Sequence, residues 1–177
     1  MHRKRIIDKI SNVLEATSES YEQSLTEMLD KASRIFISGA GRSGLVAKFF
    51  AMRLMHAGYN VYIVGEIVTP SIQKGDLFIV ITGSGETETM IAFCKRAQKQ
   101  GASIVTVSTK KDSTIGNMSD LVIQVGNEDS YAKVVGMPMG TTFELSTLFF
   151  LEAIVSHIIH EKGIAEEVMR GVHANLE

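Results

Sequence analysis

Gly39-Ala40-Gly41-Arg42-Ser43-Gly44 and Thr82-Gly83-Ser84-Gly85-Glu86-Thr87 each follow a short apolar run and each open a stretch of helical spacing. Strand, tight turn and helix together aim unpaired backbone N–H groups, and the positive end of a helix dipole, at an anion. The second turn adds hydroxyls at Thr82, Ser84 and Thr87. Ser and Thr are also ordinary turn and N-cap residues, but capping uses one hydroxyl. This turn offers three, and its two glycines let the main chain approach a ligand closely. A phosphate group is the anion that suits it.

The first turn also matches the pattern G-x-G-x-x-G, and Glu66 sits just past the second apolar run, where a dinucleotide fold places the carboxylate that holds a ribose. A nicotinamide or flavin enzyme is therefore a competing reading. Against it, Arg42 and Ser43 offer a charge and a hydroxyl better matched to a compact monoester than to a pyrophosphate. Glu144 has two readings of equal standing. Thr141-Thr142-Phe143-Glu144 is a formal capping box with Thr141 as N-cap, and a carboxylate at the mouth of a pocket is also a general base. His56 ends a helical run just before Gly58, where an imidazole commonly meets the carboxyl end of the helix dipole. His157 and His160 share a helix face without a carboxylate or cysteine to complete a metal set, so they read as surface or interface residues and no metal is expected. His173, three residues after Arg170, is within reach of a neighbouring subunit's pocket. Met52 and Met55 read as core filler.

Around these residues the chain alternates short β-branched runs with helical ones. Arg34–Ser38, Asn60–Val64, Asp76–Ile81, Ala102–Val107 and Asp120–Gln124 read as five buried strands of a parallel sheet covered on both faces. In such sheets ligands bind beyond the strands' carboxyl ends, where both glycine turns lie. Residues 1–30 form a helical lead-in, with a polar break at Thr17-Ser18-Glu19-Ser20. Residues 125–139 are polar and irregular. Thr141–His160 then reads as one helix apolar on nearly every side, which must be buried on more than one face, and the second partner is expected to be another copy of the chain. A short helix at Ala165–Arg170 precedes the tail, so residues 141–177 are mostly helical.

The 177 residues fit a single domain, spanning 1–177, and carry a formal net charge of −2. With Lys and Arg scattered, a nucleic-acid surface is not expected. The lone Cys94 has no partner for a disulfide or a metal-binding pair, which fits a reduced, cytoplasmic setting. No signal-peptide apolar stretch is seen near Met1, and Glu152 and His157 interrupt the most hydrophobic segment, so no membrane span is expected.

The first turn, followed by Phe50-Ala51-Met52-Arg53-Leu54-Met55-His56 and Val64-Gly65-Glu66, resembles the 6-phospho-3-hexuloisomerase branch of the sugar isomerase (SIS) family of phosphosugar-binding domains. So do Thr82–Thr87, Pro138-Met139-Gly140-Thr141-Thr142-Phe143-Glu144 and the terminal Asn175-Leu176-Glu177. The likeness runs over nearly the whole chain in the same order. It implies a doubly wound α/β fold of SIS type and a cytoplasmic homotetramer. The implied reaction interconverts 3-hexulose 6-phosphate and fructose 6-phosphate in the ribulose monophosphate route of formaldehyde fixation. Carried over residue by residue, Ser43 and Thr82, Gly83, Ser84, Gly85, Glu86 and Thr87 bind substrate, and Glu144 accepts the proton.

Moving a carbonyl from C3 to C2 through an enediolate needs one carboxylate that reaches both carbons, so no metal or redox cofactor is expected. A donor must face the developing oxyanion. His56 or Arg42 is the candidate, with Glu66 and His173 as further site residues. Two other readings remain open, an isomerase of a different phosphosugar and a non-enzymatic phosphosugar sensor.

Overall fold

The computed structural model describes residues 1–176, so Glu177 of the terminal Asn175-Leu176-Glu177 string lies outside the described residues. Helices α1 (His2–Glu15) and α2 (Ser20–Lys31) form the lead-in. They are followed by β1 (Ile35–Gly39), α3 (Arg42–His56), β2 (Val61–Ile63), β3 (Leu77–Ile81), α4 (Glu88–Gln100), β4 (Ser103–Ser108), β5 (Leu121–Gln124), α5 (Thr141–Lys162) and α6 (Glu166–Gly171). The five strands form one parallel sheet in the order β2-β1-β3-β4-β5. This is the expected doubly wound α/β architecture. The order reverses between β1 and β3, which pair in register from Ile35↔Leu77 to Gly39↔Ile81. Both glycine turns therefore leave neighbouring strands at the switch point, the place where such sheets open a crevice.

Strand alternation divides the core into two layers. Ile35, Ile37, Leu77, Ile79, Ile81, Val105 and Val107 face α3 and α5, whose Phe50, Leu54, Phe150, Leu151, Ile154 and Ile158 are buried against them. On the opposite face Phe36, Phe78, Val80 and Ile104 meet Met90, Cys94 and Ala97 of α4. Burial there pushes the Cys94 thiol up to about 12, so it behaves as a small apolar side chain.

Three sequence expectations change. α5 does need cover on several faces, but α1, α2 and α3 of the same chain supply most of it. Phe149 of α5 stays open, as do Leu45 and Phe49 of α3, each 45–65% exposed. α5 is also long and apolar enough to cross a membrane by length and composition, Glu152 and His157 notwithstanding. In this fold Phe143, Phe150, Leu151, Ile154, Val155 and Ile158 of that helix are buried in the core. Finally, Met52 and Met55 are not core filler. They lie on the outer face of α3 at 53% and 40% exposure, because the sheet-facing positions of that helix are taken by Val46, Phe50 and Leu54.

Candidate active site

The first turn is built for close approach. A Cβ on Gly39 would stand 2.8 Å from the Ser43 carbonyl group, and one on Gly44 would stand 2.6 Å from the Gly39 oxygen. Glycine at both positions lets α3 start directly on the end of β1, with Arg42 and half-buried Ser43 in its first turn.

In the second turn the hydroxyls divide their work. Thr82, 3% exposed, accepts a hydrogen bond from the Gly85 N–H at 3.2 Å and so braces the turn from inside. The Ser84 hydroxyl is exposed and accepts from the Glu86 N–H at 3.1 Å, which leaves its proton for a ligand. Thr87 is the N-cap of α4 and lies 3.4 Å from the Thr82 hydroxyl. The Gly83 carbonyl, which would repel an anion, is tied back by the Ser108 and Thr109 hydroxyls at 3.2 and 2.7 Å. The Glu86 carboxylate turns to the following loop, where it accepts the Thr114 N–H at 2.9 Å, and hydrogen bonding from the Thr114 side chain, then from its main chain, holds it below the usual carboxylate range. Its contribution to the turn is thus main chain, while its side chain anchors the loop.

α5 brings the third component. Phe143 packs on Gly83, whose added Cβ would lie 3.3 Å from the ring, and the Tyr131 ring lies tilted against that ring at 6.5 Å between centroids. The next residue, Glu144, has a side chain only 12% exposed and accepts a short hydrogen bond from Arg42 Nε. Thr141 is not the N-cap expected from the capping-box pattern. Gly140 takes that position with φ 85°, the first N–H groups of α5 have no side-chain cap, and Glu144 serves Arg42 instead of the helix start. The N-termini of α3, α4 and α5 therefore converge at the carboxyl edge of the sheet, and among the described residues no side chain caps any of the three. Main-chain N–H groups at the three helix starts, together with the helix dipoles, make one electropositive rim around one shielded carboxylate.

The other expected site residues sit elsewhere. Glu66 pairs with Lys48 at 2.8 Å, both exposed. His56 occupies the far end of α3, about 21 Å from Arg42 at the α-helical rise. Its ring stacks on His173 of the same chain at 5.4 Å. Both line a cavity of about 420 Å³ with Arg53, Glu152, Glu166 and Arg170. His160 is exposed, whereas His157 is partly buried with Nδ1 4.0 Å from Glu22. Among the described residues no group of three His, Cys, Asp or Glu side chains is arranged for a metal ion. The sequence reading missed the Arg42–Glu144 pair, formed across 102 residues, and the part played by Phe143 and Gly140.

The family model for the SIS domain matches residues 28–155. The chain is 53% identical to the 3-hexulose-6-phosphate isomerase of Methylomonas aminofaciens over 99% of this chain and 98% of that protein. It is 38% identical to the protein of the same name from Bacillus subtilis, covering 97% and 95% of the two chains. A Methanococcus jannaschii crystal structure, from which a molecular function of 3-hexulose-6-phosphate isomerase was inferred, superposes with a TM-score of 0.87 at 35% identity and covers 97% of each chain.

Proposed function

The chain belongs to the SIS domain family, and from that premise we propose that it interconverts 3-hexulose 6-phosphate and fructose 6-phosphate, an isomerase of the ribulose monophosphate pathway. The observation that carries the mechanism is the shielded Glu144 carboxylate on the rim where three helix N-termini meet.

The phosphate is held at the Thr82–Thr87 turn and the start of α4 by main-chain N–H groups other than those of Thr82, Gly85 and Glu86, which are bonded within the fold, and by the Ser84 and Thr87 hydroxyls, with Ser43 on the facing turn. Binding energy at the phosphate orients carbons several bonds away. Glu144 takes the C2 proton, made acidic by the C3 carbonyl, and returns a proton to C3 as the carbonyl forms at C2. Arg42 is the cation nearest this carboxylate and faces the charge that develops on the enediolate oxygen. His56, at the far end of α3, and His173, stacked on it, lie too far from Arg42 and its partner Glu144 to join in the same chain, and we assign them to the site of a neighbouring copy. Exposed Leu45 and Phe49 support such a neighbour, because the cavity they line, about 200 Å³, is also lined by Arg42 and Glu144. A homotetramer acting in the cytoplasm on a phosphosugar, as a single domain with no resident cofactor, is the assembly we propose.

The test supplies 3-hexulose 6-phosphate, generated in place from formaldehyde and ribulose 5-phosphate, and measures fructose 6-phosphate. Turnover that disappears in Glu144→Gln is expected. A folded sample that forms no product would contradict the assignment.

A further inference from the structure

Glu144 rests on one residue through both its main chain and its side chain. Its N–H donates to the Gly140 carbonyl at 3.0 Å. A Cβ built on Gly140 would lie 2.6 Å from Oε1, 3.1 Å from Cδ and 3.4 Å from Oε2 of the Glu144 carboxylate. The carboxylate therefore fills the volume that any side chain at position 140 would need. Gly136, four residues earlier in the same segment, makes an informative contrast. Its φ of 81° is nearly the same, yet a Cβ there would meet only the end of Arg5, at 3.9 Å. Positive φ alone would favour glycine at both positions, so the conformation does not explain what is particular to Gly140.

We propose that Gly140 is a positioning residue for the isomerisation, its missing side chain forming the seat that holds the Glu144 carboxylate between the start of α5 and the Arg42 guanidinium. The seat fixes the carboxylate from below while Arg42 fixes Oε2 from the side. The proton shuttle needs such control, because one group must serve two adjacent carbons from a single position. A displacement of about 1 Å in a reacting group costs roughly 10²-fold in rate. This inference rests on the reading of Glu144 as the base.

The experiment compares kcat and KM for Gly140→Ala, Gly136→Ala, Glu144→Asp and the double variant Gly140→Ala/Glu144→Asp. Gly140→Ala is expected to lower kcat roughly 10²-fold with KM nearly unchanged. Gly136→Ala bears the same backbone strain and keeps its kcat. Aspartate is one methylene shorter and clears the seat, so the double variant should be no slower than Glu144→Asp alone. If Gly140→Ala fails to fold, Gly140→Asn tolerates the positive φ while carrying the same Cβ. Equal kcat in the two glycine variants, or losses that multiply in the double variant, would overturn the proposal. Undiminished turnover in Glu144→Gln would instead remove the base itself, a distinct failure.

Discussion

The two ends of α3 present opposite kinds of chemistry. At its start, few ionisable groups are present, and the anion-binding character comes from glycine-rich main chain where α3, α4 and α5 begin. At its end, titratable side chains crowd together: His56, His173, and the ion pairs Arg53–Glu152 and Arg170–Glu166. Inspection for reactive side chains alone would choose the second region, whose cavity is also the larger. There, however, each arginine already has a carboxylate partner and the helix presents its carbonyl end, which repels anions. A phosphate is better served by main-chain amides at helix starts than by charges that already have a partner.

Substitutions can break or sharpen that contrast. The largest effect is expected at the first region: Glu144→Gln should keep the fold and lower kcat by about 10²–10⁴-fold, as measured by steady-state turnover. Retained turnover would erase the distinction between the regions. Next, His56→Asn should lower kcat by roughly 10²-fold through loss of a donor in a neighbouring copy's site. Mixing it with Glu144→Gln under subunit exchange should then restore activity, since some mixed sites regain both groups. Mixtures no more active than their parents would confine the chemistry to one chain. Ser84→Ala should raise KM by roughly 10- to 100-fold, the value of about 1.5–3 kcal/mol for a hydrogen bond to a charged group. An unchanged KM would remove the Ser84 hydroxyl from the phosphate seat.

The smallest effect concerns stability at the second region. Burial, then His173 and Arg53, lower the His56 pKa from its ordinary 6.5. The folded chain thus binds fewer protons there than the unfolded chain, so stability should be full above about pH 6.5 and decline as pH falls through that value. His56→Asn should flatten this acid-side decline in thermal melts between about pH 8 and pH 5.5. An unaltered slope would show that His56 does not carry it.

Local pattern made much of this readable from sequence. The five strands appear within a residue or two of their observed bounds because buried parallel strands are nearly continuous apolar runs. Both glycine turns and the position of Glu144 at the start of α5 follow from short-range signals as well. The failures share a cause, since each depended on which elements meet in space. Spacing alone could not show that α1 and α2 cover α5, or that α3 turns Met52 and Met55 outward. Nor could it pair Arg42 with Glu144, or His56 with His173. Thr141 misled for a different reason. Its capping box is complete in residue type, but the N-cap falls one residue earlier, at Gly140, and the acid is engaged by Arg42.

The central claim is most directly tested by a crystal structure of the protein with bound fructose 6-phosphate. The phosphate should lie about 3 Å from the Ser84 hydroxyl and the N–H groups at the start of α4, with the Glu144 carboxylate about 3–3.5 Å from C2. A phosphate seated instead between His56 and His173 of its own chain, with Glu144 remote from the sugar, would contradict the account.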